Sequence, residues 1–147
     1  YTYWRRTGPA PMLEVFDVPN RVVCVARRDT TNTPLHAFVL MNGTQFVEAA
    51  RVLAERMLAE ESATTESVLA AAFERLTSRP PDETEQKILR EMHAAQRRWY
   101  EEHPDDAAKL IAVGQQPHDK GLPAVEVAAM TAVINALLDY DGSVVKR

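Results

Sequence analysis

The sequence has few of the residues from which cross-links and metal centres are built. Cys24 is the single cysteine, which excludes an intrachain disulfide, an all-cysteine zinc or iron–sulfur site and the two-cysteine attachment motif for haem. None of the four histidines has another histidine three or four residues away, so the spacing of a zinc site is missing. We therefore expect no metal ion and no cofactor to be bound by this chain.

Long apolar runs, glycine-rich linkers and an excess of basic charge are also missing. Charged residues interrupt every long apolar stretch, which excludes a transmembrane span. The 17 Lys and Arg residues against 21 Asp and Glu give a net charge of −4, which disfavours a nucleic-acid binder and a protein held to a membrane by charge. Five glycines and no Gly/Ser linker among 147 residues argue for a single domain over 1–147.

Known signatures of catalysis are absent as well. The sequence has no Gly-x-Ser-x-Gly elbow and no glycine loop that would bind phosphate. Adjacent carboxylates such as Glu60-Glu61 diverge on a helix, which is typical of a solvated surface rather than of an acid/base pair. Cys24 lies among valines, where burial would make its thiol unreactive. The residues alone predict no catalytic site, so an enzyme formed by this chain alone is not favoured.

Helical periodicity begins at residue 33. Thr33-Pro34 predicts a helix start and Asn42-Gly43 a turn, after which Thr44 is expected to cap the next helix. The patterns predict helices over about residues 35–41, 44–57, 65–76, 82–102 and 123–140, with a shorter one between Pro104 and Gly114. The last of these is apolar nearly all round, which is typical of the centre of a bundle.

Two predicted helices have a face that is assigned to the core. The first places an apolar stripe opposite a charged side, with the stripe formed by Phe46, Ala50, Leu53 and Met57 and the solvent side by Glu48, Arg51 and Glu55. In the long helix after Asp82, the predicted core stripe consists of Ile88, Met92, Ala95 and Trp99. His93 is expected at the edge of the core. His36 shares a short helix with apolar neighbours, so it is the histidine whose burial needs to be checked.

The overall prediction is an all-α fold, an irregular bundle of five or six helices with an extended N-terminal arm over about residues 1–33. The arm lacks helical periodicity and contains prolines that favour extended backbone. Its expected anchors are Trp4, Phe16 and Leu13. Residues 22–25 have the composition of one short buried strand, although no partner strand is visible.

Two groups of residues are candidates for a site. The first is a polar loop just before the first predicted helix, formed by Arg27, Arg28, Thr31, Asn32 and Thr33. Such hydroxyl and amide groups cap a helix and fix a loop, and exposed amides there also bind anions; capping is the favoured interpretation. The second is a packing or docking arm with Tyr3, Trp4 and Phe16.

Several blocks of the sequence resemble one protein family. They are Tyr1–Thr7, Phe16–Arg21, Thr31–Leu35, Leu40–Asn42, Phe46–Arg51, Arg79–Pro81 and Thr131–Leu138. Through these blocks essentially the whole chain resembles the C-terminal domain of unknown function of secreted planctomycete multidomain proteins, many of which carry a cytochrome c domain. The chain departs from the family at Thr30, where Arg is usual, which weakens an anion site in the polar loop.

The resemblance implies a parent protein that is much longer and exported. The chain would be its C-terminal fragment, in the periplasm or outside the cell, with an uncharacterised domain upstream. Haem, where the parent carries it, would be bound elsewhere, because the attachment cysteines are missing here. No catalytic residues are implied for this domain.

Two functions remain open. The first is a non-catalytic accessory or interaction domain that packs on the upstream domain and helps to bind an extracellular glycan or protein. The alternative is part of a composite active site acting on polysaccharide, completed by an upstream domain and using Arg28 and Asn32. Electron transfer with haem against His36 or Met41 ranks third.

Overall fold

The computed structural model describes residues 8–19, 24–27, 31, 33–60 and 64–144. Over these residues the chain forms helices α1 (Pro11–Val15), α2 (Pro34–Asn42), α3 (Thr44–Leu58), α4 (Thr65–Thr77), α5 (Glu83–Glu102), α6 (Pro104–Ile111), α7 (Ala124–Leu138) and α8 (Asp141–Val144). The described part of the chain contains no β-strand, which confirms the all-α prediction. None of its helices is both long and apolar enough to cross a membrane.

Helix α7 lies at the centre of the bundle and packs against α3, α5 and α6. Its residues Met130, Val133 and Ile134 are fully buried in the main core, together with Leu69 and Phe73 of α4. A second, smaller cluster joins α6 to the first turns of α7. The prediction that the last long helix occupies the middle of the bundle is therefore confirmed, because only such a position buries a helix that is apolar on all sides.

The helix starts are largely where the sequence predicted them. Thr33 is the N-cap of α2 and Pro34 its first residue. At α5, Asp82 Oδ1 accepts from the Glu85 amide at 2.7 Å, and Glu85 Oε2 accepts from the Asp82 amide at 2.9 Å, which is a complete capping box. Two starts need correction by one residue. Thr44 is the first helical residue of α3, with Gly43 as the N-cap, and Pro123 is the N-cap of α7, which begins at Ala124.

The turn between α4 and α5 is fixed by an arginine. Arg79 donates through its two terminal nitrogens to the two carboxylate oxygens of Glu85, at 2.7 and 2.6 Å. Its guanidinium also lies over the ring of Phe73, 4.9 Å from the centroid. Tyr140 donates its hydroxyl to Glu85 at 3.2 Å. The Arg79–Pro81 block thus joins the end of α4 to the first turn of α5.

The N-terminal arm differs from the prediction in two respects. It contains a short helix, α1, which begins at a proline that suits the first turn. Cys24 and Val25 are exposed and not in a strand, so the expected buried strand is wrong for these two residues, and the thiol of Cys24 is not shielded by burial. A single strand without a neighbour has no partners for its backbone, which is the physical reason. Phe16 and Leu13 are half-buried, as anchors require.

The assigned faces of α3 and α5 also need correction. In α3, Ala50 and Met57 are buried as expected, but Arg51 and Glu55 are buried too instead of facing solvent. In α5 the core side is formed by Leu89 and His93, one position away from the predicted stripe. The stripe itself faces outward, since Ile88 and Trp99 are 55% and 51% exposed, Ala95 is exposed and Met92 is only half-buried.

Candidate functional site

The polar loop is connected to the arm through Thr31. The Thr31 amide donates to Asp17 Oδ2 at 2.7 Å, and the Thr31 hydroxyl lies 3.0 and 2.8 Å from the two carboxylate oxygens of Asp17. Arg27 is exposed. The other loop and arm candidates, Arg28, Asn32, Tyr3 and Trp4, lie outside the described residues. Thr31 thus fixes the loop next to the end of α1, whereas Arg27 is at the surface.

His36 of α2 completes this junction between arm and bundle. It is buried, and its Nδ1 accepts from the Thr33 amide at 3.3 Å while its Nε2 contacts the carbonyl oxygen of Val15. These partners require the proton on Nε2. The ring stacks on Phe16, with 5.3 Å between centroids, and Phe16 meets Phe46 edge-on at 6.1 Å. A metal or haem iron would have to displace one of these contacts in order to reach a nitrogen of His36.

The opposite side of α2 forms an apolar surface. Leu35, Phe38 and Met41 are 52%, 63% and 48% exposed, and they follow one another at intervals of three residues on the same side of the helix. We call these three residues the α2 face. Helix α2 contains no charged residue, and the polar Asn42 on this side donates its side-chain amide to the Phe38 carbonyl oxygen at 2.9 Å. The rest of this side is apolar and suits contact with another apolar surface.

A second cluster of polar residues lies on α3, which binds the segment after α6. Arg51 is completely buried; its Nη1 donates to Glu55 Oε1 at 2.8 Å and its Nη2 donates to the Gln116 carbonyl at 2.6 Å. Glu48 Oε1 accepts from the amides of Gln115 and Gln116 at 2.8 and 2.6 Å. We call Glu48, Arg51 and Glu55 the loop clamp, because they occupy one side of α3 and bind one loop.

The loop clamp fits its segment closely. Gly114 has a positive φ of 104°, and a Cβ at this position would lie 2.3 Å from Cδ of Glu48. The amides of Gln116 and Gln115 stabilise the Glu48 carboxylate and lower its pKa from the ordinary value. Glu55 Oε1 also accepts from the Asp119 amide at 3.3 Å. Each charge of the clamp is therefore engaged within the protein.

A small cavity of about 170 Å³ lies next to the clamp. Glu55, Ile111, His118, Asp119 and Lys120 contribute to its walls. Glu55 is already paired with Arg51, and the described residues contain no group of three His, Cys, Asp or Glu side chains that could hold a metal ion. The contacts of Glu55 and Arg51 anchor the loop that forms one wall of the cavity.

A third polar cluster joins α5 to α7. His93 is buried, and its Nε2 lies 2.9 Å from Oε1 of Glu126, whose Oε2 lies 3.8 Å from Nε of Arg97. The contact with His93 lowers the pKa of Glu126, with Arg97 adding to the effect and partial burial opposing it. The cluster pairs charges across the interface between the two helices.

The comparison with known families gives one match. Residues 1–93 match the model of PSD1, a protein of unknown function (DUF1553). The chain belongs to the PSD1 family. No curated protein and no solved structure matches it. The PSD1 match covers α1 to α4 and the first half of α5, so it includes the junction, the α2 face and the loop clamp. It does not include α7, against which α2, α3, α4 and α5 pack.

Sequence reasoning missed the loop clamp and the burial of His93. For His93 a signal existed, because Leu89, His93, Gln96 and Tyr100 also follow helical spacing and all of them are buried or half-buried. For the clamp of this PSD1 chain no local signal existed, because the loop that covers Arg51 lies 65 residues further along.

Proposed function

We propose that this PSD1 chain is a non-catalytic helical interaction domain that docks through the α2 face. The observation that carries the proposal is Phe38, which is 63% exposed in the middle of a helix without charge. Clustered apolar side chains on the surface of a protein are typical of contact sites. The polar candidates support the same interpretation, because Thr31, His36 and Arg51 are engaged in holding the fold together.

The partner we propose is a polypeptide segment from the upstream part of the same parent protein. Support comes from the resemblance of blocks such as Thr31–Leu35 to the C-terminal domains of exported planctomycete multidomain proteins. The same resemblance supports a periplasmic or extracellular location, and it assigns any cytochrome c haem to another domain. An apolar helix face suits an apolar protein segment better than a glycan, whose hydroxyl groups need polar partners.

The composite active site on polysaccharide has less support. Both polar groups of Thr31 are bound to Asp17, and Thr33 contributes its amide to His36. A catalytic role would require these groups to be exchanged for contacts with substrate.

Hydroxyl-radical footprinting of the parent protein tests the docking proposal, because the side chains of Phe38 and Met41 react readily when exposed. We expect both to be protected in the parent and reactive in the 147-residue chain. The variant Phe38→Asp should restore the reactivity of Met41 in the parent. Val25→Asp is the matched control, since Val25 is 47% exposed but belongs to the arm rather than to α2, and it should change nothing.

Equal reactivity of Phe38 and Met41 in the parent and in the chain would contradict the proposal. Protection that appears only when a glycan is added would contradict the choice of partner, because the α2 face would then bind a ligand instead of a segment of the parent.

A further inference from the structure

The outward side of α5 carries apolar side chains that the bundle leaves exposed, although Met92 between them packs against the main core. Ile88 and Trp99 are more than half exposed, and Ala95 lies exposed between them. One side of the Trp99 indole is stacked on His103, with 3.9 Å between ring centroids. Together with the half-buried Met92, these residues follow the alternating spacing of four and three that is typical of a helix contacting another helix. We call this set the α5 face.

The charges next to the α5 face alternate in sign along the helix. In chain order they are Lys87, Glu91, Arg98 and Glu102, that is, positive, negative, positive and negative. Lys87 and Glu91 form only a loose pair at 3.9 Å, in which both side chains are well exposed. Within the described residues, Arg98 and Glu102 have no hydrogen bond or ion pair.

We propose that the α5 face binds the α5 face of a second copy of this chain in antiparallel orientation. The argument is that the pattern is self-complementary when the helix is reversed. With a two-fold axis between Ala94 and Ala95, Ile88 of one copy lies at the level of Glu101 of the other, two residues from Trp99. The same operation brings Glu91 to the level of Arg98 and Lys87 to that of Glu102.

The middle of the face allows close approach. Ala94 and Ala95 are both exposed at the crossing point, and small side chains there let two helices pack at about 8–10 Å between axes. In the antiparallel pair the flank that carries these four charges meets the same flank of the partner, whereas a parallel pair would bring it against the partner's other flank. The four charges therefore pair with one another only in the antiparallel arrangement.

This contact is independent of the α2 face, which lies on another helix. One pair of helices buries less surface than the roughly 1,200–2,000 Å² of a standard interface, so we expect a dimer that dissociates on dilution. Sedimentation velocity of the 147-residue chain over a wide range of concentrations measures this equilibrium directly.

Charge reversal gives the decisive test. Each single variant, Glu91→Arg or Arg98→Glu, creates two like-charge contacts per dimer and should weaken dimerisation about tenfold or more. The double variant carries both reversals, so its contacts are again of opposite sign and dimerisation should return. Arg75→Glu is the matched control, because Arg75 is an exposed arginine on α4, and it should leave the dimer unchanged.

A chain that remains monomeric at all concentrations would overturn the proposal. So would a dimer that Arg98→Glu leaves intact, or a double variant that is no better than the single ones. Loss of the dimer in Phe38→Asp but not in Arg98→Glu would assign the dimer to the α2 face and overturn it as well. Apart from the last result, which would also protect Phe38 in the isolated chain, these outcomes leave the footprinting unchanged, so the two proposals fail separately when the footprinting is done on monomeric chain.

Discussion

Helices α3 and α5 both pack against α7, and in both the sequence pattern misjudges one side. In α3 the charged side, which looks like a solvent face, holds the completely buried Arg51. In α5 an apolar stripe that looks like a core face exposes Ile88 and Trp99. The prediction from apolar spacing is therefore wrong in opposite ways: it exposes a side of α3 that is buried, and it buries a side of α5 that is exposed.

The difference shows that burial depends on what covers a helix as well as on the helix itself. The charged side of α3 is covered by the segment after Gly114, whose backbone offers the amides of Gln115 and Gln116 and the carbonyl of Gln116. Charges can be buried there because each finds a partner. Within the described residues no element covers the stripe of α5, and the apolar side chains remain at the surface.

The largest effect on stability is expected when Arg51 is removed from the buried side of α3. In Arg51→Ala, Glu55 keeps a buried carboxylate without its cation and the Gln116 carbonyl loses its donor, so we expect a loss of about 3–5 kcal/mol in the free energy of unfolding. Urea denaturation measures the loss. Arg56→Ala is the control, because Arg56 is exposed on the same helix and its removal should cost less than about 0.5 kcal/mol. Equal stabilities of the two variants would show that the buried pair is not needed to hold the loop.

The second prediction uses two neighbouring residues of α5. Leu89 is 4% exposed in the main core, whereas Ile88 is 55% exposed on the α5 face. Leu89→Ala should therefore lower the free energy of unfolding by about 2–5 kcal/mol, and Ile88→Ala by less than about 1 kcal/mol. Thermal or urea denaturation, at a concentration where the chain is monomeric, measures the free energy of unfolding of both variants. A larger loss for Ile88→Ala would mean that the predicted stripe is the core side after all.

The fold was predictable where the signal is local. Thr33-Pro34 and the Asp82/Glu85 pair mark helix starts through contacts within one turn, and the uniformly apolar α7 can be stable only in the interior. The phase of α5 was not predictable from apolar spacing, because two sets of residues fit it. The set that faces inward has Leu89 in the main core and His93 beside Glu126 of α7, and both neighbours are distant in sequence.

The candidate site was predictable only in part, for the same reason. The polar loop was recognised from its hydroxyl groups, but the partner of Thr31 is Asp17, which lies 14 residues away. The loop clamp involves contacts across 64 to 68 residues of sequence, and no residue pattern within α3 indicates them. Charged residues on one side of a helix are usually solvated, so the pattern that was used remains right for most helices and wrong for this one.

The smallest expected effect on stability comes from the exposed pair Arg79–Glu85, which can be compared with the buried pair Arg51–Glu55. Arg79 and Glu85 form a two-bond ion pair at the start of α5, and the hydrogen bonds from Arg79 lower the pKa of Glu85 from the ordinary 4.5 to about 2. Because the folded-state pKa is the lower one, the pair contributes stability above pH 4.5 and loses it as the pH falls towards 2. In Arg79→Gln the Glu85 pKa should rise towards 4.5, and stability should depend less on pH in this range.

Carbon-detected NMR titration of the Glu85 carboxyl measures this shift, with Arg75→Gln as the control that leaves it in place. The change in stability at neutral pH should be small, since solvent screens an ion pair whose arginine is half exposed. Arg51→Ala should therefore cost much more stability than Arg79→Gln, although both variants break an Arg–Glu pair. If Arg79→Gln cost as much as Arg51→Ala, burial would not be what distinguishes the charges of α3 from those of α5.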